Sequence, residues 1–437
     1  MMRSTWAKSV FLGLASMTFA AAAVAQAPCS AGHWVTAWGA AVQTPLAFPG
    51  APAALSVNNQ TLRQIVLPTI GGECVRVRFT NEAGPTLLSL GSAHIALATA
   101  DGSIVPGSDR SLTFGGKAGV DIPAGAPMLS DPVSLKIPAF TGVAISLYVA
   151  KQSSASSFHQ LGQQATRLSG PGDFTGAPDL PGATETRSWY WLADLEIMTS
   201  QQTSGLVTFG DSITDGFGAK PGEYQDWPDL LAERLAQTAG SPKFAVANEG
   251  IGGNRILHDG AGVSALARFD RDVLAKPGVT EMILLEGIND IGWPNMKPPN
   301  GKSETMQKGP FADQVVTAGD LIQGMKQLIE RAHCHGIKVF GATMTPYEGA
   351  GYFTPAGETV RETVNEWIRS GGAFDGVIDF DAAVRDPDHP QEFREAYQAG
   401  DHLHPNEAGY KAMAATINID QLRVSSDKSV RSSSLMK

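Results

Sequence analysis

Cysteine is scarce, with three residues in 437. Three thiols close at most one bridge within the chain and leave one over. Positive charge is short as well: 33 Lys and Arg stand against 43 Asp and Glu, for a formal net charge of -10. That balance excludes the basic surface that nucleic acid requires. No polybasic patch is present for anionic membranes. There is no internal repeat, and between about Gly32 and Ser200 there is no amphipathic helix of useful length. Turn chemistry, by contrast, is plentiful. Forty-eight glycines and 27 prolines suit a loop-rich β region, and 43% hydrophobic residues are enough for real cores. A chain of 437 residues is long for one domain and comfortable for two.

The N-terminus reads as a targeting segment. Arg3 and Lys8 form a positive n-region, residues 10–25 are apolar, and Ala23-Val24-Ala25 is an A-x-A cleavage site. Residues 1–25 are therefore expected to be a signal peptide. The apolar run is short and ends in small residues, which argues against a membrane anchor and stable membrane insertion. Cys29 raises a lipoprotein reading, but Ala27-Pro28 before it is a poor lipobox. Secretion or delivery to a periplasm makes a disulfide possible. The expected pairing is Cys29 with Cys74, both in the N-terminal region, with Cys334 left as a buried thiol in a helix. Other pairings remain open from sequence.

Residues 26–203 show a period-two pattern broken by turn signals. Strands are expected at 62–67, 74–79, 94–97, 143–149 and 189–198. The reading is an all-β, jelly-roll-like sandwich. From Leu206 the rhythm changes to strand, helix, strand, helix. Strands are expected at 206–209, 244–247, 281–285, 337–342 and 377–380, and the clearest helix at 313–333 with Gly336 at its C-terminal cap. Residues 204–424 therefore read as an α/β domain with a parallel sheet covered on both faces. Residues 425–437 read as a disordered tail.

The chemistry lies at the strand ends of the second region, where ligands of parallel sheets bind. The segment from Leu206 to Gly216 runs Leu-Val-Thr-Phe-Gly-Asp-Ser-Ile-Thr-Asp-Gly and places Ser212 where the chain must turn. Ser212 is the candidate nucleophile; a serine hydroxyl is weak and needs a base beside it. His404 is the candidate base. Asp401, three residues upstream, can accept the other imidazole proton and set the tautomer. The backbone N–H groups of Ser212 and Gly253 and the side-chain amide of Asn289 are candidates for an oxyanion hole.

These segments resemble the four conserved blocks of the SGNH (GDSL) hydrolase family. Gly210-Asp211-Ser212 is similar to the nucleophile block. Asn248 to Gly253 resembles the N-x-G-x-x-G block, which implies Gly253 as the oxyanion glycine. Gly287-x-Asn289-Asp290 resembles the G-x-N-D block, and Asp401-x-x-His404 the D-x-x-H block. The nucleophile block continues Ile213-Thr214, a variation on the usual leucine. The resemblance covers Leu206 to about Asp420. It implies a flavodoxin-like three-layer α/β/α fold and ester hydrolysis without metal or other cofactor. The β-rich first half, opening on residues 33–38, resembles a subgroup of secreted bacterial GDSL esterases with an N-terminal jelly roll.

Asp215 is assigned to bonding the turn that holds Ser212, with Asp211 and Asp290 as supporting carboxylates. The run Gly250-Ile-Gly-Gly253 with Asp270 some distance on invites a dinucleotide reading, but it fails G-x-G-x-x-G and follows the second strand rather than the first. The nucleophile segment also lacks the second glycine of the G-x-S-x-G elbow. Asp401, His402 and His404, or His333 and His335 around Cys334, could be metal ligands, but two histidines two apart on a helix do not share a face. His402 is assigned to the surface and Trp227 to the core. His159 is assigned to the surface, with the pocket wall as its alternative. The expected protein is a secreted serine esterase or acylhydrolase acting on a small-molecule or polysaccharide ester. An acyltransferase with the same triad, or a carbohydrate-binding protein with an accessory deacetylase domain, is the alternative. The oligomeric state is open.

Overall fold

The computed structural model describes residues 29, 32–45, 54–199, 202–241, 243–296, 309 and 311–422. The expected signal peptide and C-terminal tail lie outside the described residues. No described helix is long and apolar enough to cross a membrane.

Among the described residues, the first half is built from two large antiparallel sheets and two short two-stranded ones. One runs in the order His33–Gly39, Leu192–Thr199, Gly72–Thr80, Pro127–Leu129, with Val133–Ile137 also paired to Gly72–Thr80. The other has Gln60–Val66, Val143–Val149 and Leu88–Leu97 at its centre. Alternation along the strands sends one set of side chains inward. Val75, Val77, Phe79, Leu195 and Ile197 from one sheet meet Leu62, Ile95, Ile145 and Leu147 from the other in a single buried core. This core of β-branched and aromatic residues is what a period-two pattern encodes. Cys29 is bonded to Cys74 at a Cα separation of 5.9 Å.

The strand expected across 189–198 is broken. Trp191 takes φ +56, uncommon for a bulky residue, and separates Trp189–Tyr190 from Leu192–Thr199. The kink lets Trp189–Tyr190 leave the sheet and pair with Phe158–His159. All three aromatics, Trp189, Tyr190 and Trp191, are buried.

The second half holds a five-stranded, all-parallel sheet in the order Lys243–Gly250, Thr203–Gly210, Val279–Leu285, Lys338–Ala342, Gly376–Ile378. Numbered within this half the order is 2-1-3-4-5, so the chain reverses direction across the sheet beside the first strand. Alternate strand residues face opposite helical layers. Leu206, Val246 and Ile283 meet Trp227, Leu231, Tyr410 and Met413 on one face. Val207, Met282 and Leu284 meet Phe269, Leu321, Met325 and Leu328 on the other. Trp227 is core, as its sequence setting suggested.

Three expectations are corrected. The helix expected at 313–333 is Ala318–Cys334, because Thr317 and Asp320 form a capping box that starts it later. The last strand ends at Ile378, since Asp379 caps a helix that takes Phe380. Cys334 is exposed rather than buried, because it falls on the outer face of its helix's last turn.

The halves meet along the strand His33–Gly39. Thr69 Oγ1 accepts from Val246 N–H at 2.9 Å and donates to Val246 O at 3.1 Å. His33 Nε2 lies 2.6 Å from the Thr203 carbonyl. Most telling is Lys276, whose Nζ sits 2.5 Å from Asp194 and 2.6 Å from Glu249, all three side chains buried. A charged group buried this deeply is tolerated only when paired.

Candidate active site

Three adjacent strand ends supply the site. Gly210 is in register with Gly250 on one side and Leu285 on the other. Ser212 follows the first strand by two residues, Gly253 follows the second strand, and Asn289 follows the third. The parallel arrangement thus brings three distant segments to one edge.

The turn at Ser212 is locally determined. Asp211 caps the short helix Ser212–Asp215, its carboxylate accepting from Ile213 N–H at 2.9 Å. This helix packs so closely on the neighbouring strand that a Cβ at Gly250 would lie 2.3 Å from the Asp215 backbone nitrogen. Burial pushes the Asp211 carboxyl up to about 7, against the pull of the Ile213 N–H and with Asp290 nearby. Asp290 is itself buried and raised to about 6, although Ile256 and Leu257 donate backbone N–H bonds to it at 2.7 and 3.0 Å. Those two bonds anchor the segment that follows Gly253.

Ser212 Oγ lies 2.8 Å from His404 Nε2, and His404 Nδ1 lies 2.5 Å from Asp401 Oδ2. Asp401 Oδ1 accepts from the backbone N–H groups of Leu403 and His404 at 3.0 and 2.9 Å. The carboxylate thereby builds its own loop. Burial works to raise the Asp401 pKa, but the hydrogen bonds from His404 and Leu403 overcome it and hold the carboxyl well below the usual range. An ionised Asp401 accepting from Nδ1–H leaves Nε2 free to accept from the serine hydroxyl. Pro405 lies just before the next helix. Asn406 caps it and Glu407 is its first residue. His402 is exposed and turned into the left-handed region at φ +59.

For the candidate oxyanion donors, neither Ser212 N–H nor Gly253 N–H has a hydrogen-bond acceptor among the described residues. Gly253 sits at φ +79, where an L side chain is strained. Asn289 is buried; its Nδ2 donates to Asn254 O at 3.0 Å and its Oδ1 accepts from Tyr352 OH at 3.3 Å. One amide hydrogen of Asn289 is left over. Asn248 serves the scaffold: it donates to Thr214 O at 2.7 Å and accepts from Gly250 N–H at 2.9 Å.

Several residues at the site were not singled out in the sequence. Arg268, fully buried, donates to Gly210 O, Glu249 O and Asn254 Oδ1 at 2.9, 2.7 and 2.9 Å, and its guanidinium lies 4.0 Å from the Phe209 ring centre. It ties together the ends of two strands and the loop beyond. Its i,i+4 spacing to Asp272, which it meets at 3.1 Å, was the only sequence signal. Phe217, still exposed, leans on His404 with ring centres 4.3 Å apart. Tyr352 and Asn254, which hold Asn289, carried no signal.

His159 is not at the surface. It is 3% exposed and lies within hydrogen-bond distance of Asp215. Its partner strand Trp189–Tyr190 carries it inward. Of the other histidines, His333 Nε2 pairs with Asp375 at 2.8 Å and His335 Nδ1 lies 2.9 Å from Arg331 O. Asp270 pairs with Arg331.

Residues 206–417 match the family model described as GDSL-like Lipase/Acylhydrolase. No curated protein matches the chain. Among solved structures the chain is similar to a member of the lipolytic protein G-D-S-L family from Veillonella parvula. Identity there is 20%, the match covers 49% of this chain and 95% of that one, and the TM-score is 0.35. It is likewise similar to a GDSL-like lipase from Bacteroides thetaiotaomicron, at 17% identity, coverage of 50% and 89%, and a TM-score of 0.34. A catalytic mutant of an acetylxylan esterase from Geobacillus stearothermophilus gives 21% identity, coverage of 49% and 91%, and a TM-score of 0.35.

Proposed function

Because residues 206–417 belong to the GDSL-like lipase/acylhydrolase family and the protein is a carboxylic ester hydrolase, we propose that it is a secreted serine esterase working through Ser212, His404 and Asp401. The observation that carries this reading is the continuous relay from Ser212 Oγ to His404 Nε2, and from His404 Nδ1 to Asp401.

In this reading Ser212 Oγ attacks the ester carbonyl carbon while its proton passes to His404 Nε2. The carbonyl oxygen becomes an oxyanion, met by the N–H groups of Ser212 and Gly253 and the amide of Asn289. Collapse breaks the bond to the alcohol, which takes the proton from His404 and leaves. Water then attacks the acyl-Ser212 ester, giving its proton to His404. The second tetrahedral intermediate releases the carboxylic acid and restores Ser212. Asp401 stays ionised throughout and steadies the imidazolium.

The β-rich half, which we read as a jelly-roll-like domain over residues 26–203, is set against the hydrolase domain of 204–424. Residues 1–25 direct export in this proposal, in keeping with the Cys29–Cys74 bridge. A serine-directed phosphonate tests the nucleophile. Mass spectrometry should find the label on Ser212; a label elsewhere, or none with esterase activity intact, rejects the assignment.

A further inference from the structure

His159 has no part in the chemistry above, yet it is one of the best-bound side chains near Ser212. Its Nδ1 lies 2.8 Å from the carbonyl oxygen of Ala41, and its Nε2 lies 2.9 Å from Asp215 Oδ1. A carbonyl oxygen only accepts, so Nδ1 carries a hydrogen. Asp215 Oδ2 accepts from Gly252 N–H at 2.7 Å. Its Oδ1 is then the natural acceptor for a hydrogen on Nε2. With both ring nitrogens donating, the pair is an imidazolium against a carboxylate, both side chains almost fully buried. Burial works against the charged ring, but the Asp215 charge, the bonds to Asp215 and Ala41, and the Glu249 charge prevail and raise its pKa. Trp189 packs on the ring with centres 5.5 Å apart and is itself held edge-on by Trp38 at 4.9 Å. The imidazole is thus fixed in orientation as well as in charge.

The position of Asp215 gives the pair its consequence. Asp215 ends the four-residue helix that Ser212 begins. Gly252, which it grips, is the neighbour of Gly253. One carboxylate therefore links the nucleophile helix to the turn that presents the candidate oxyanion N–H. His159 reaches that carboxylate from the other half of the chain. A second bond follows the same route: Gln163 Nε2 donates to Gly216 O at 2.6 Å. Ala41, whose carbonyl fixes His159, packs with Ile251 of the same turn and with Ala261 beyond it.

We propose that His159 is a positioning residue for ester hydrolysis, supplied by the β-rich half: through Asp215 it holds the Gly252–Gly253 turn in register with Ser212. The proposal rests on the serine esterase reading. It makes the β-rich half a structural member of the active site rather than a separate binding module.

The test uses the full chain with His159→Ala, His159→Gln, Asp215→Asn and the double variant His159→Gln/Asp215→Asn. A p-nitrophenyl ester serves as substrate and an alkylboronic acid as tetrahedral-adduct inhibitor. Loss of an oxyanion donor outright lowers kcat by about 10² to 10³. Loosening one should lower it by roughly 10- to 100-fold, with KM changed by less than about threefold. Boronate affinity should fall by the same factor as kcat. Gln keeps a donor for Asp215 and should recover part of the loss. Asp215→Asn should match His159→Ala, and the double variant should be little worse than either single one, since both break one link. A folded His159→Ala enzyme with wild-type kcat overturns the proposal, as does a loss confined to KM or a kcat loss with boronate affinity unchanged. If His159→Ala does not fold, the other variants decide: additive losses in the double variant, or wild-type kcat in Asp215→Asn, overturn it. Phosphonate labelling of wild-type Ser212 separates the two failures. No label removes the esterase reading beneath the proposal, whereas normal labelling with unaffected variants removes the positioning role alone.

Discussion

Asp401 Oδ2 lies 2.5 Å from His404 Nδ1 while its other oxygen accepts the backbone N–H of the same histidine at 2.9 Å. One carboxylate thus fixes both the ring and the main chain of its partner, three residues away. Replacing it by Asn keeps an acceptor but offers a donor in its place, so the wrong imidazole tautomer competes. Asp401→Asn should lower kcat by about 10³ to 10⁴ while circular dichroism stays that of the wild type. A loss under tenfold would mean that Asp401 does not orient His404.

The same depressed carboxyl sets an acid limit. A carboxylate whose pKa is lower folded than unfolded adds stability above its unfolded value, near 3.9, and loses it as the pH falls through the folded value. Wild type should therefore keep a stability advantage over Asp401→Asn at neutral pH that shrinks below about pH 4. Melting temperatures of both proteins between pH 3 and 7 test this. A gap that widens with acid would reverse the assigned sign.

Ser212→Ala and His404→Ala should each remove hydrolysis by about 10⁴-fold or more, and the double variant should be no worse than the singles, because the two act as one unit. Progress curves on purified, folded protein suffice. Near-wild-type turnover in either variant ends the assignment.

Asn289 is buried between Asn254 and Tyr352, with one amide hydrogen unspent. Asn289→Ala should reduce kcat by about 10² to 10³ and leave KM nearly unchanged, since the oxyanion forms only after attack. An effect confined to KM would make Asn289 a substrate-binding residue instead.

Lys276 is the buried cation between Asp194 of the β-rich half and Glu249 of the α/β half. Lys276→Met leaves buried Glu249 without its cation and Asp194 with only Arg78, 3.6 Å away. It should destabilise the protein by about 3–5 kcal/mol in urea denaturation, because a buried charge without its partner is costly. Expression of 201–437 alone should give insoluble or poorly active material for a related reason, as Lys276 loses Asp194. A soluble fragment with full activity toward small and bulky esters would show the interface to be dispensable.

Much of this molecule was legible in its residues. Alternation across 74–79 marks a strand with one face in the core, while the strands at 62–67 and 143–149 lie at the centre of their sheet and are buried on both faces. The change to helix-strand rhythm at Leu206 marks the parallel sheet, and motif order put Ser212, Gly253 and Asn289 after successive strands. Those inferences need only local periodicity and chain connectivity. What the local pattern does not contain is the partner that a polar side chain meets from far along the chain. His159 reads as a surface residue by composition; it is buried because Trp191 kinks the strand beside it and because Asp215 waits across the interface. Arg268 reads as a helix-surface cation, yet three acceptors from separate segments draw it into the core. Cys334 reads as buried by residue type, and the turn of its helix leaves it exposed. Burial of a polar or isolated group depends on compensation by distant partners, and that compensation exists only once the tertiary structure has formed.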